Sequence, residues 1–554
     1  MNDNVLANDQ DIEVLITSKE LVSELGINET EDKSELSENS SSSDHQKTTY
    51  DLYRKYRKKS SEKKIRKKKR KKRKVKNVAI PYYPLTEPFP QVVGRIFSDE
   101  CSKRAGNHIP PSMLFPSRYT SFFLFGKTPT GESVGKDHGD DGHIAVFGGS
   151  GSGKTTGIAI PSLCTWKGTI FSFDFKGDLL RYALKRRNAK ILYFLRGRKN
   201  RYWLDPYYLL SEEGEDNLVQ NARELAHAII PLPREIREPC WIMAARDILT
   251  GAIVYYFKQG IGFIDTMIEV KTTKITDLLE KFNDDKLAKI CINPNLNLTP
   301  KTLAGISLEL HIHITVFVTD PLIQDVLSPS EDGHKEQIRW EDLDTGDVFI
   351  RIDQSRIDQW GGVMRLILVQ LIRTLERRPE KYEPAGRRIP PTLLMLDEFP
   401  QYGKIEVITS ALKILRSKNV TISLFCQSLA DLDETYGKDT RRTILDNCPY
   451  KAILGASDAE TQHYFSDLVG TVKVPSKGVT ANFDELGYPF GYSVSVNESR
   501  EPIIHPHEFA SLEDIVLLHP GPERFCRVEK ETCFRKNLYP EPIEEGDKDY
   551  VHKT

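Results

Sequence analysis

At 554 residues the chain exceeds the size at which one hydrophobic core keeps growing, so two or three globular units are expected. A hydrophobic share of 39% and a charged share of 28% suit a soluble globular protein, and eight scattered cysteines without a C-x-x-C pair or a zinc-spaced histidine argue against a disulfide framework or a structural zinc site. The formal net charge of -1 conceals an asymmetry: residues 1–53 carry 3 basic and 13 acidic side chains, 54–76 carry 17 and 1, and the remainder carries 58 and 65.

In chain order, the Ser-, Asn- and acid-rich leader ending in SELSENSSSSDHQ buries too little apolar surface to offset its ordering entropy and is expected to be disordered. Within it, Ile12, Leu15, Val22 and Leu25 fall near one helical face. The run KKIRKKKRKKRKVK, Lys63 to Lys76, repels itself unless a polyanion is near. Anionic lipid head groups and nucleic-acid phosphates both suit it, and with no interleaved aromatic beyond Tyr56 it offers charge without base stacking. No basic-then-apolar leader is present, and apolar runs such as ILTGAIVYYF fall short of the roughly 18 to 20 residues that span a bilayer, so no transmembrane helix is expected.

From Asn77 the composition turns globular. The runs HIAVFG, GTIFSFDF and KILYFLRG alternate with helical stretches, which is the rhythm of a parallel sheet with crossover helices. A long helical block follows from Tyr207 to Glu336, after which strands resume at GDVFIRID, PTLLMLDEF, VTISLFCQS and YKAILGA. The pattern implies one α/β domain, residues 77–206 and 337–535, interrupted by an all-α insertion at 207–336, with flexible tails at 1–76 and 536–554.

The run AVFGGSGSGKTTGIAI follows a strand and opens a helix, which is the setting of a phosphate-binding loop. Gly148, Gly149, Ser150, Gly151, Ser152 and Gly153 turn backbone N–H groups toward phosphates. Lys154 reaches the β and γ oxygens, and Thr155, followed by Thr156, offers a hydroxyl to Mg²⁺. TLLMLDEF sets Asp397 and Glu398 at the C-terminal edge of a strand, Asp397 to hold the metal and Glu398 to polarise water. Gln427 ends the next strand and is placed to sense the γ-phosphate. Arg416 follows an apolar helical face in ITSALKILRSKN and is a candidate arginine finger for a neighbouring subunit, while a plain surface arginine is the competing reading.

These residues resemble the TraG-like and VirD-type coupling ATPases of conjugation and type IV secretion, over about His143 to Arg524. The similarity rests on the phosphate loop, GTIFSFDFKGDL, the W-x-x-x-A-A-R-D run at Trp241 to Asp247, GGVMRLILVQLIRTL, the LLMLDEF to DLDETYG segment, and ILDNCPYKAILGASDAETQHYFSDLVGTVKV. The resemblance implies a RecA-like P-loop NTPase domain carrying an all-α substrate-recognition insertion. It further implies ATP and Mg²⁺ as cofactors and a membrane-associated homohexamer cleaving ATP at subunit boundaries. The implied partners are a relaxase, single-stranded DNA bound without sequence preference, and the secretion channel. Lys154, Thr155, Asp397, Glu398, Gln427 and Arg416 take the matching family roles. Two departures stand out: Phe175 and Asp178 replace the family's Pro and Glu, and no pair of membrane helices opens the chain, so a peripheral place on the cytoplasmic face and a separately encoded anchor are expected. Two other readings stay open, a cytoplasmic DNA translocase of the chromosome-segregation type and a nucleotide-gated adaptor that scarcely turns over.

Overall fold

The computed structural model describes residues 108–115, 121–183, 189–233, 239–381, 389–483, 489–521 and 524–533. The acidic leader, the polybasic tract and the C-terminal tail lie outside the described residues. The first elements, β1 (Leu114–Phe115), β2 (Phe122–Lys127) and β3 (Ser133–Asp137), form a small antiparallel sheet in the order β1-β3-β2.

The main sheet begins with β4 (Ile144–Phe147), followed by α1 (Ile160–Thr165), β5 (Thr169–Asp174), α2 (Asp178–Ala183) and β6 (Ala189–Phe194). Strand β7 (Tyr202–Leu204) then opens a helical segment. It comprises α3 (Tyr208–Glu213), α4 (Leu218–Ile229), α5 (Cys240–Lys258), α6 (Phe263–Thr272), α7 (Ile275–Asn283), α8 (Lys286–Ile292), α9 (Pro300–Thr319) and α10 (Pro321–Leu327). The chain returns through β8 (Glu336–Ile338), which pairs in parallel with β7, so the helical segment leaves and re-enters at one neck. Lys190 ties that neck by ion pairs to Glu336 at 2.6 Å and Asp342 at 3.1 Å. There follow β9 (Asp347–Ile352), α11 (Ile357–Glu376), β10 (Thr392–Leu396), α12 (Ile408–Ile414), β11 (Val420–Cys426), α13 (Leu429–Tyr436), α14 (Lys438–Asp446), β12 (Tyr450–Ile453) and α15 (Ala459–Val469). A two-stranded ribbon, β13 (Thr471–Phe483) and β14 (Pro489–Pro502), precedes β15 (Ile515–Leu518) and β16 (Phe525–Val528).

Nine strands run in the order β16-β15-β12-β4-β11-β10-β5-β9-β6. From β12 to β6 all neighbours are parallel, and β15 and β16 finish one edge antiparallel. The strand runs are apolar without alternation because both faces are covered. In β10, Leu393 and Met395 enter one core and Leu394 and Leu396 the other, as the two-residue period of a strand requires. One core holds α1, α2 and the small sheet against the strands. The other runs without a break from Phe171 and Phe173 through Trp340 and Trp360 to Ile248, Ile253 and Phe317 of the helical segment, so the insertion shares its core with one face of the sheet.

Among the described residues one helix, Pro300–Thr319, is long and apolar enough by length and composition to cross a membrane. One stripe of α9, Leu303, Ile306, Leu310, Ile314 and Phe317, is buried inside the helical segment, while Leu308 and Ile312 on its other side are exposed.

Candidate active site

Strands β4, β11 and β10 are adjacent, and their C-terminal ends carry the phosphate-loop sequence, Gln427 and the Asp397–Glu398 pair. Parallel register sets these ends level, since Phe147 pairs with Cys426 and Leu396 with Leu424. The crevice outside such strand ends is where open parallel sheets take their ligands.

The loop turns tightly at two left-handed glycines, Gly151 (φ 74°) and Gly153 (φ 96°). A Cβ on Gly148 would stand 2.4 Å from Ser152 Oγ, whereas Gly149 and Gly151 face open space. The Ser152 hydroxyl is buried without a hydrogen-bond partner among the described residues. Lys154 is itself buried, and its ammonium donates to the carbonyl of Gly148 and, at 3.4 Å, to that of Gly149. The loop therefore holds a lysine folded on its own backbone and an orphan hydroxyl, which is the donor chemistry that oxyanions satisfy. Beyond it the chain winds as a wide π-helical turn, Lys154–Ala159, in which the Ile160 N–H reaches back to Thr155 O.

Thr155 Oγ1 donates to Asp397 Oδ2 at 3.2 Å, joining the loop to β10. Burial first, and the Glu398 charge next, push the Asp397 carboxyl up to about 6, with Lys154 opposing them. The site carries surplus negative charge, and a hydroxyl beside a carboxylate is a donor set that fits a divalent cation. Glu398 adopts a left-handed conformation (φ 50°, ψ 45°), unusual for a residue with a side chain. Its N–H donates to Asp397 Oδ1 at 3.0 Å, and Gln427 Nε2 donates to its Oε2 at 3.2 Å. Lys154, Thr155, Asp397, Glu398 and Gln427 thus meet in one place. Arg416 does not join them: it is exposed in the turn Leu415–Lys418 that precedes β11, at the opposite edge of the sheet.

Several supporting residues were given no role by the sequence. Tyr402, four residues past Glu398, donates its hydroxyl to Asp397 O at 2.7 Å and packs beside Phe173 and Phe175. That packing gives Phe175 a structural use. The loop it opens is fixed by buried Asp174, whose carboxylate accepts from the Gly177 N–H at 2.7 Å and the Leu180 N–H at 2.8 Å, while Asp178 lies in the first turn of α2, where the helix dipole favours an acid. Arg351 donates to the carbonyls of Asp174, Phe175 and Ile352. Arg246, from the A-A-R-D run, donates Nε to Ile230 O and Nη2 to Glu406, both at 2.7 Å, which ties α5 to the loop that continues from Glu398. Although burial alone would raise Glu406, the hydrogen bonds from His227 and Arg246 hold it down at about 2.

A nine-stranded, mainly parallel sheet with a phosphate loop after β4 and acidic residues after β10 defines a RecA-like P-loop nucleotide-binding fold. Residues 120–522 match the family model "Type IV secretory system Conjugative DNA transfer", and the chain belongs to that family. The chain is similar to protein VirD4 of Rhizobium rhizogenes, 23% identical over 72% of this chain and 60% of the relative, and to the conjugal transfer protein TraG of Escherichia coli, 21% identical over 70% and 63%. It therefore spans less than two thirds of the length of these relatives. Among solved structures, the plasmid coupling protein TrwB in complex with ADP and Mg²⁺ shares the fold with a TM-score of 0.54 and 18% identity, over 72% of this chain and 88% of that one.

Proposed function

We propose that this chain is an ATP-hydrolysing coupling protein that recruits a relaxase-bound single-stranded DNA and drives it to a type IV secretion channel. The observation that carries the reading is the meeting of Lys154, Thr155, Asp397, Glu398 and Gln427 at three adjacent strand ends. Membership of the conjugative DNA transfer family supports it, and the TrwB complex with ADP and Mg²⁺ supports ATP and Mg²⁺ as the ligands.

In this reading the amides of Gly148 to Gly153 and the Lys154 ammonium grip the β and γ phosphates, with Ser152 supplying its unpartnered hydroxyl. Thr155 and Asp397 would hold Mg²⁺, which when bound offsets charge on the β and γ oxygens. Glu398 accepts a proton from the attacking water, and its left-handed backbone aims the carboxylate at Gln427 rather than along the strand. Gln427 bonds Glu398 before substrate arrives and is free to exchange that partner for the γ-phosphate. Arg416 acts on the neighbouring protomer of a homohexamer, the insertion meets the relaxase, and a separately encoded membrane protein holds the assembly at the cytoplasmic face.

Glu398→Gln is the test. It keeps the hydrogen bond to Gln427 and the backbone shape, so ATP binding should persist while hydrolysis falls about 10²-fold or more, the usual worth of a general base. A nucleotide-gated adaptor predicts equal, near-zero turnover in both proteins, and that result would reject the motor.

A further inference from the structure

A second concentration of cations lies outside the site above. A cavity of about 300 Å³ opens between α4, α11 and the loop that continues from Glu398, and Arg223, His227, Arg365, Arg373 and Lys404 line it. Some of this charge is already matched. Arg373 pairs with Glu224 at 2.9 Å and Glu376 at 2.7 Å, and Glu406 is held by Arg246 at 2.7 Å with His227 at 3.6 Å. Arg223, Arg365 and Lys404 have no carboxylate within ion-pair distance among the described residues.

Arg365 is the informative member. Its Nε donates to Ala228 O at 3.1 Å, capping the last turn of α4, which leaves Nη1 and Nη2 without a protein acceptor among the described residues. The guanidinium lies between two glycines: a Cβ on Gly403 or Gly361 would stand 2.9 or 3.1 Å from Nη1. Gly403 is left-handed (φ 71°) and belongs to the loop after Glu398, so the lack of side chains on both sides leaves room for this one fork. Desolvation is strong enough to pull Arg365 down to about 10. Tyr436 and the Glu406 charge offset only part of that cost, and an anion on the two open Nη groups would offset more of it.

We propose that this cavity is a second anion site, separate from the phosphate loop, which takes a phosphate group on the Arg365 fork with Lys404 and Arg223 closing around it. Phosphate rather than a carboxylate is indicated because three cations outside any ion pair among the described residues converge, while the carboxylates that line the cavity, Glu224 and Glu406, are already held by Arg373 and Arg246. A guanidinium fork also suits an oxyanion with several acceptor oxygens. The phosphate can come from the backbone of a nucleic-acid strand or from a free phosphate. Whichever enters bears on the Glu398 loop, because Gly403 and Lys404 belong to it and Tyr436 holds it through its hydroxyl, 3.2 Å from Ile405 N and 3.3 Å from Gly403 O.

The test uses the full chain with the phosphate loop saturated by a non-hydrolysable ATP analogue and Mg²⁺. Binding of a fluorescein-labelled twelve-residue oligothymidylate is read by anisotropy, and binding of inorganic phosphate by calorimetry. Arg365→Gln should weaken at least one probe tenfold or more; because it also uncaps α4, Lys404→Gln and Arg223→Gln, whose side chains make no hydrogen bond or ion pair among the described residues, are made in parallel and should each cost several-fold. Arg442→Gln, on an exposed arginine of α14, should change nothing. Loss confined to the oligonucleotide identifies a strand backbone as the source, and loss confined to phosphate identifies a free anion. Unchanged binding of both probes in the Lys404 and Arg223 variants, or an equal loss in Arg442→Gln, overturns the site.

Discussion

His143, just before β4, is buried and bridges three segments. Its Nδ1 accepts from the Ile422 N–H at 3.0 Å, so the proton sits on Nε2, which donates to Leu412 O at 2.8 Å. The ring therefore pins Leu412 of α12, three residues before the turn that carries Arg416, to the start of β11. Burial above all, with the charges of Lys136 and Arg416 adding to it, pushes His143 down to about 3. The unfolded chain takes up a proton near pH 6.5 that the folded chain refuses until about pH 3. This contribution is thus flat above pH 6.5 and falls as pH drops through the window from 6.5 to 3, by up to about 1.4 kcal/mol per unit. His143→Leu should cost about 2 kcal/mol at pH 7.5, by leaving a buried N–H and a buried carbonyl unpaired. It should also remove about 1 kcal/mol of the stability lost between pH 7.5 and 5.5. Denaturant melts at the two pH values check both; an unaltered difference between them would mean that folding does not lower the histidine's affinity for a proton.

At the scale of elements, the helical segment meets the loop that continues from Glu398 through Arg246 of α5 and Glu406. Removing one partner of a buried pair strands the other, but Glu406 is about a third exposed, so water softens the loss. Arg246→Met, which keeps the apolar stem, should destabilise the protein by about 2 kcal/mol, part of it from the unpaired Ile230 carbonyl. Combined with Glu406→Gln, the two changes should fall short of additivity by about 1 kcal/mol in denaturant melts. Their pairing was not legible in the chain: the A-A-R-D run marks Arg246, but a hydrogen bond across 160 residues leaves no local spacing that names Glu406 as its partner. The same holds for His143, 269 residues from Leu412 and 279 from Ile422. By contrast, seven strands from HIAVFG to YKAILGA stand out in sequence because burial on both faces forces an unbroken apolar run. The small sheet and the β13–β14 ribbon escaped that reading: TVKVPSKGVTANF has no such run, and β2 and β3 carry glycines where the ladder is crowded, as at Gly135, whose Cβ would stand 2.5 Å from Phe123 O. Lys154, Thr155, Asp397 and Glu398 were legible because each sits within a few residues of its own motif, whereas Tyr402, only four residues beyond Glu398, looks like any aromatic.

On the scale of the whole molecule, the position of Arg416 decides whether one chain can complete its own site. Seven strand residues of β11 separate its turn from Gln427, which at about 3.3 Å per residue is a distance of about 20 Å. An arginine side chain cannot cover that span, so within one chain Arg416 is a bystander to Glu398 and Lys154. A finger role requires a second copy placed head to tail, the heterologous contact that closes into rings. Turnover per chain should then rise with protein concentration, and Arg416→Ala should abolish the rise while leaving ATP binding intact. The stricter form of the experiment mixes Arg416→Ala with Lys154→Ala, each inactive alone. Where a protomer with an intact phosphate loop meets a neighbour with an intact arginine, a complete site is rebuilt, so random assembly of an equal mixture should restore about a quarter of the wild-type rate. Complementation of that size can arise only across a subunit boundary. A mixture as inactive as its components, or an Arg416→Ala protein as active as wild type, would place the finger elsewhere and return Arg416 to the surface.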